Sequence, residues 1–223
     1  MVSAVIVAAG KGKRMGLGFN KVFAKVKGKE IIALTIEKFY ASSYVNEIVV
    51  VVSEDEVEFF KENILKRYNF NNVKIAKGGE ERQFSVYNGL LACSSSDIVL
   101  IHDGARPNIK DDMIKRSIDG ALKYGATTLA VPVIDTIKIV EDGFSVETLN
   151  RNKLYAIQTP QTFRYDLILK AHENAIKNGI KATDDATLVE MLGHKVKIIE
   201  GSYDNIKVTT PKDILILELL ATI

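Results

Sequence analysis

A chain of 223 residues, 47% of them hydrophobic, can fill the core of one large α/β domain, and its 30 basic and 28 acidic side chains leave a formal net charge of +2. That balance excludes a nucleic-acid surface built on bulk charge, and no apolar run approaches the length of a membrane span. The single Cys93 excludes an internal disulfide and the cations follow the apolar start instead of preceding it, so the expected compartment is the cytoplasm and no secretory signal is read.

In chain order, a β-branched run at 3–8 leads into a cationic glycine loop, followed by a helix at 31–41, a strand at 47–53 and a helix at 55–68. A strand at 73–77 ends at Gly78-Gly79-Glu80-Glu81-Arg82, where a helix over 81–92 begins. A strand at 97–102 ends at His102-Asp103-Gly104-Ala105-Arg106-Pro107 and precedes a helix at 110–123. After a strand at 127–133 the alternation breaks: 136–140 and 144–149 read as a hairpin turning at Asp142-Gly143. Helices at 165–178 and 184–192, a strand at 195–200 and a helix at 211–220 complete the chain. The last helix opens with Thr210, Pro211 and Asp213, a cap, a first-turn proline and an acid. Strand and helix alternation of this kind predicts an α/β fold with a mostly parallel sheet, one domain over 1–223 with an arm at 135–151. Ligands gather at the carboxyl ends of such strands, where the glycine loop and the His102-Asp103 step fall. An isolated hairpin is marginal in water, so the arm packs either on its own domain or on another subunit.

The loop Ala8-Ala9-Gly10-Lys11-Gly12-Lys13-Arg14-Met15-Gly16, answered by Lys21, reads as a grip for phosphates. Glycines let backbone N–H groups approach phosphate oxygens, and the cations follow the charge. It is neither a Walker loop nor a dinucleotide fingerprint, since Met15 stands where each motif needs a glycine. Taken alone, the Gly-x-Gly of Gly10 and Gly12 favours a turn carrying solvated lysines; the wider pattern through Arg14 and Met15 with Lys21 downstream favours the grip. Asp103 is suited to ribose hydroxyls or to Mg²⁺ on phosphates, or caps the turn at Gly104. His102 faces the other side of its strand and is expected in the core.

Together with Gln158-Thr159-Pro160-Gln161 and Asp204-Asn205-Ile206-Lys207-Val208-Thr209, these motifs occur in the order seen in the 2-C-methyl-D-erythritol 4-phosphate cytidylyltransferase family, which the chain resembles over essentially its whole length. Ribitol 5-phosphate cytidylyltransferases resemble it at several of the same places. The resemblance implies a Rossmann-like nucleotidyltransferase sandwich whose protruding β-hairpin arm makes a homodimer, with CTP and a polyol phosphate as substrates and Mg²⁺ or another divalent cation as cofactor.

Residue by residue, the resemblance implies that Arg14, Lys21 and Lys207 are catalytic cations for the α-phosphate and the departing pyrophosphate. Ala8, Ala9, Gly10, Gly12, Gly79, Glu80, Arg82, Ser85, Asp103 and Gly104 are implied to hold the nucleotide, with Asp103 also on the metal. Arg106, Thr136, Arg151, Thr159 and Asp184 are implied for the second substrate, although Thr159 equally fits a structural turn and Asp184 a helix cap. Asn20 and Val22 stand where the family usually has proline and glutamine, Glu80 replaces an aspartate, and Gly104 replaces an alanine. A non-catalytic CTP sensor is the reading from another class. It would not require the full set of Arg14, Lys21, Asp103 and Lys207.

Overall fold

The computed structural model describes residues 1–10 and 19–220. Arg14 and Gly12, with the rest of the loop at 11–18, lie outside the described residues. In chain order the elements are β1 (Val2–Val7), β2 (Lys25–Val26), β3 (Lys29–Glu30), α1 (Ile31–Tyr40), β4 (Glu47–Val52) and α2 (Val57–Phe60), the last continuing as a wider turn over Lys61–Lys66. There follow β5 (Val73–Lys77), α3 (Arg82–Ala92), β6 (Ile98–Asp103), α4 (Asp111–Tyr124), β7 (Ala126–Pro132), β8 (Lys138–Glu141) and β9 (Phe144–Thr148). The chain closes with β10 (Tyr155–Arg164), α5 (Tyr165–Lys177), α6 (Asp185–Met191), β11 (Lys197–Glu200) and α7 (Pro211–Leu220).

A seven-stranded sheet in the order β11-β7-β10-β6-β1-β4-β5 organises these elements. All its pairings are parallel except those of β10, which runs antiparallel to both β6 and β7. Side chains of alternate residues enter opposite faces. Ala4, Ile6, Val50 and Leu100 therefore pack under α1, α2 and α4, and Val5, Val49, Val99 and Ile101 pack under α3, α5 and α6. Burial on both faces explains the nearly unbroken apolar runs of β1, β4 and β6. Because these strands are parallel neighbours, their carboxyl ends, Val7, Val52 and Asp103, open on one edge.

The hairpin matches its sequence signal. Asp142 and Gly143 have φ of +48° and +84°, the left-handed pair a two-residue hairpin turn demands. Among the described residues β8 and β9 pair only with each other, and every residue of both is exposed. At the start of α7, Asp213 accepts the Thr209 and Thr210 N–H groups at 2.7 and 2.8 Å, so the acid itself closes the helix end.

β10 has no counterpart among the predicted strands. Its centre is polar yet buried: Gln158, Thr159, Gln161 and Thr162 are each at most 7% exposed. Hydrophobic alternation could not reveal it, because buried polar groups must be paired and here the partners lie on distant segments. Gln161 Oε1 accepts from the Asp185 and Ala186 N–H groups at 3.0 and 3.1 Å, and its Nε2 donates to Asp184 Oδ2 at 2.7 Å. Gln158 Nε2 donates to the Ser202 carbonyl at 2.8 Å, and its Oε1 accepts from Asn205 Nδ2 at 3.2 Å. β10 thus ties α6 and the 202–205 turn to the sheet. Replacing Gln161 by Met strips the acceptor from two buried N–H groups at the start of α6. At ~1–3 kcal/mol for each orphaned group, urea unfolding of Gln161→Met should show a loss of at least ~2 kcal/mol, and an unchanged midpoint would contradict this role for β10.

Candidate active site

A cleft of about 790 Å³ opens at the carboxyl ends of β1, β4 and β6. Ala8, Ala9 and Gly10 line it from the exit of β1, and Gly79, Glu80, Arg82 and Ser85 from the start of α3. Lys21, Asp103 and Lys207 complete the wall. These five separated places in the sequence are therefore brought together at one edge of the sheet.

Close approach of the glycine pair to its neighbours shapes one side. A Cβ on Gly78 would lie 2.4 Å from the Ala9 Cβ, and one on Gly79 would lie 2.5 Å from the Phe84 Cβ, so no larger residue fits without moving backbone. Ser85 Oγ accepts the Gly79 N–H at 3.0 Å and holds this turn. The Ala8 carbonyl already accepts from Asn20 Nδ2 at 2.7 Å and the Ala9 carbonyl from Ser53 Oγ at 3.0 Å. Each carbonyl retains one lone pair for a ligand.

Asp103 ends β6 and is 7% exposed. Lys207 Nζ stands 2.8 Å from its Oδ2, Arg82 Nε 3.4 Å from its Oδ1, and Arg106 Nε 3.6 Å from its Oδ2. Burial alone would raise the pKa of this carboxyl, but Arg82, Lys207 and Arg106 hold it well below the usual carboxylate range. Arg82 turns its other edge to Asp185, with Nη1 2.8 Å from Oδ2, and Asp185 is 1% exposed. Burial would depress the guanidinium pKa, but the two carboxylates raise it. Arg106 is held differently. Its Nη1 donates to the Asn205 carbonyl at 2.6 Å, and burial pulls its pKa down more than Asp103 raises it. Lys21 Nζ donates to the Val208 carbonyl at 2.7 Å, one residue from Lys207.

Beneath the carboxylate, hydrogen bonding fixes a histidine tautomer. The Arg106 carbonyl can only accept, so His102 carries its proton on Nε2 and donates it there at 3.0 Å. The neutral ring then accepts at Nδ1 from the Thr159 hydroxyl at 3.2 Å, and Thr159 Oγ1 in turn accepts the Asp103 N–H at 3.0 Å. Burial lowers the His102 pKa to about 4, and the ring packs on Phe39 with centroids 4.9 Å apart. His102 sits in the core, as its strand face implies.

Several expected site residues do not line the cleft. Thr159 lies within β10, is 6% exposed, and its hydroxyl serves Asp103 and His102. Asp184 caps α6, accepting the Thr187 N–H at 3.0 Å and Gln161 Nε2 at 2.7 Å. Gly104 lies behind the wall, where a Cβ would meet Ile32 Cδ1 at 2.9 Å and the Val7 carbonyl oxygen at 3.1 Å. Thr136 and Arg151 belong to the arm segment. Arg151 lines a separate hollow of about 420 Å³ and donates to the Ile134 carbonyl at 2.7 Å. Among the described residues, no group of three or more His, Cys, Asp or Glu side chains is placed to hold a metal ion. Sequence reasoning gave Ser53 and Asn205 no role and noted Asn20 only as a departure beside Lys21. Asn205 carried a signal, since it lies inside the motif that supplies Lys207.

Comparison with known proteins places this geometry. The sequence profile of the IspD family, described as 2-C-methyl-D-erythritol 4-phosphate cytidylyltransferase, matches residues 2–222. The enzyme of that name from Clostridioides difficile is 54% identical over 219 residues, covering 98% of this chain and 92% of that protein. Its counterpart from Caldanaerobacter subterraneus is 48% identical, covering 98% and 97%. Among solved structures, 4-diphosphocytidyl-2C-methyl-D-erythritol synthase from Anaerococcus prevotii superposes with a TM-score of 0.89 at 32% identity, covering 100% of this chain and 96% of that one. The Thermus thermophilus cytidylyltransferase gives 0.80 at 28% identity, covering 98% of each chain. With its fold and nearly its full length matched, the chain belongs to the 2-C-methyl-D-erythritol 4-phosphate cytidylyltransferase family.

Proposed function

We propose that the cleft binds CTP and transfers its CMP group to 2-C-methyl-D-erythritol 4-phosphate, giving 4-diphosphocytidyl-2-C-methyl-D-erythritol and pyrophosphate, a cytoplasmic step of non-mevalonate isoprenoid synthesis. The observation that carries this reading is the ionised Asp103 surrounded by Arg82, Arg106 and Lys207, beside the glycine pair and Lys21. A phosphate oxygen of the acceptor attacks the α-phosphorus; the new P–O bond forms as the bond to the bridging oxygen breaks, and that oxygen leaves on pyrophosphate. The acceptor phosphate is already an anion at neutral pH, so the demand is for fixed positive charge more than for a base.

In this reading the base lies against Ala8, Ala9, Gly79, Glu80 and Ser85, with Gly10 and Gly12 on the phosphates. Lys207 meets the α-phosphate, and Lys21 and Arg14 meet the leaving pyrophosphate. A divalent cation such as Mg²⁺ fits the donor chemistry, because one carboxylate plus phosphate oxygens is a common Mg²⁺ shell and Asp103 is ionised in the cleft. Bound there, it would supply further charge neutralisation on the phosphates. His102 takes no part. Its Nε2–H and Nδ1 are both engaged inside the fold.

The whole chain, 1–223, acts as one catalytic domain whose 135–151 arm interlocks with a second copy. Support comes from apolar side chains that a lone hairpin would leave in water: Phe144 is 76% exposed and Val140 59%. Thr136 and Arg151, outside the cleft of their own chain, then serve the neighbouring subunit, and the planar Arg151 fork suits the acceptor phosphate.

Pyrophosphate release with CTP and Mg²⁺ tests the reaction. Release is expected with 2-C-methyl-D-erythritol 4-phosphate and not with ribitol 5-phosphate, and Lys21→Ala should lower kcat by roughly 10²–10³ if it acts like a donor to a developing charge. Preference for ribitol 5-phosphate would sink the assignment of the acceptor, and silence with both would sink the transferase reading. For the arm, sedimentation should find a dimer that Phe144→Asp converts to monomers; a monomeric parent protein would contradict the interlocked arrangement.

A further inference from the structure

The returning end of the glycine loop is clasped by a side chain to which the proposed reaction gives no role. Asn20 is 4% exposed. Its Nδ2 donates to the Ala8 carbonyl at 2.7 Å and to Glu56 Oε2 at 2.9 Å, and its Oδ1 accepts the Val22 N–H at 3.3 Å. Both amide protons and the amide oxygen are therefore engaged, on three different segments. Ala8 marks the exit of β1 and Glu56 precedes α2. Asn20 thus staples the chain where it returns from the loop to the two elements that frame the loop's departure.

The same side chain caps the single helical turn Lys21–Phe23. That turn is seated by Val22, 3% exposed, and by Phe23 edge-on to Phe59 with ring centroids 4.9 Å apart. Lys21 is its first residue, and its ammonium reaches the Val208 carbonyl beside Lys207. An internal comparison separates a plain cap from a clasp. Asn150 caps the turn Arg151–Lys153 through its Oδ1 alone and is exposed. Asn20 does the same and adds two donor bonds in a buried setting, where hydrogen bonds hold geometry more tightly.

We propose that Asn20 is a positioning residue for Lys21: its amide fixes the turn from which the Lys21 ammonium meets the phosphates. The inference rests on the proposed role of Lys21 at the phosphates, and it assigns to a hydrogen-bonded side chain the restraint that a fixed φ would otherwise supply. Asn20 already has φ of −65° and ψ of 124°, so its side chain holds a backbone that is itself unstrained.

A double-variant cycle on the full chain tests it, with CMP transfer as the readout. Misplacement of a reacting group by about 1 Å can cost up to ~10²-fold, so Asn20→Ala should lower kcat by at least ~10-fold while the KM for the acceptor changes far less. If Asn20 acts through Lys21, the same change made in Lys21→Ala should cost less than ~3-fold, because effects of coupled sites do not add. A kcat near that of the parent for Asn20→Ala, or a full further loss in the double variant, overturns the inference. Should Asn20→Ala fail to fold, Asn20→Ser retains a cap for the Val22 N–H, gives up the reach to Ala8 and Glu56, and carries the same cycle. The single variant Lys21→Ala keeps the two readings apart: parent-like turnover there removes the role of Lys21, whereas a slow Lys21→Ala beside a fast Asn20→Ala removes only the clasp.

Discussion

A carboxylate withdrawn from water among three cations is the constraint on which the cleft depends. Burying Asp103 without partners would be prohibitive, and burying Arg106 without a carboxylate would be equally so. Each makes the other tolerable. Lys207 arrives from the 202–210 segment, Arg82 from α3 and Arg106 from the turn after β6, so one charge at a strand end gathers three pieces of chain. With Asp185 closing the far side of Arg82, the cluster still carries more positive than negative charge. A triphosphate is the complementary ligand, and the cations are already oriented before it arrives, which is what electrostatic preorganisation requires.

That arrangement is rigid because a polar strand supports it from below. β10 lies between β6 and β7 and presents Gln158 to the 202–205 turn, Thr159 to the end of β6 and Gln161 to the start of α6. Thr159 receives the Asp103 N–H and, through His102, fixes the carbonyl of Arg106. Gln158 holds Asn205, whose own carbonyl takes the Arg106 guanidinium. The route from β10 to the carboxylate is a chain of hydrogen bonds through Thr159, His102, Gln158 and Asn205. In a low-dielectric interior such networks specify one geometry and penalise alternatives.

Much of this was legible in the residues, and the failures have physical causes. Parallel strands buried on both faces announce themselves as apolar runs, and Asp142-Gly143 announces the hairpin turn because only such residues accept two successive positive φ angles. β10 hid because its buried side chains are polar and its proline argues against a central strand. Thr159 and Asp184 each admitted a substrate contact or a structural part in the sequence, and in the fold their oxygens serve Asp103, His102, Gln161 and Thr187. A motif reports that a residue type is required and leaves open whether its partner is a ligand or another part of the chain. Asn20 is the converse case: noted only as a departure beside Lys21, it makes three bonds that only the folded chain brings within reach.

The most direct test of the account is the unfolding midpoint of Asp103→Asn, measured in a chelator with and without CTP. If Asp103 is the counter-charge of a socket built for a polyanion, the ligand-free variant should melt well below the parent protein, since Arg82, Arg106 and Lys207 lose their shared carboxylate. CTP should then stabilise the variant more than it stabilises the parent, because the triphosphate supplies the missing negative charge. An unchanged ligand-free midpoint, or equal stabilisation of both proteins by CTP, would contradict the central place given to that carboxylate.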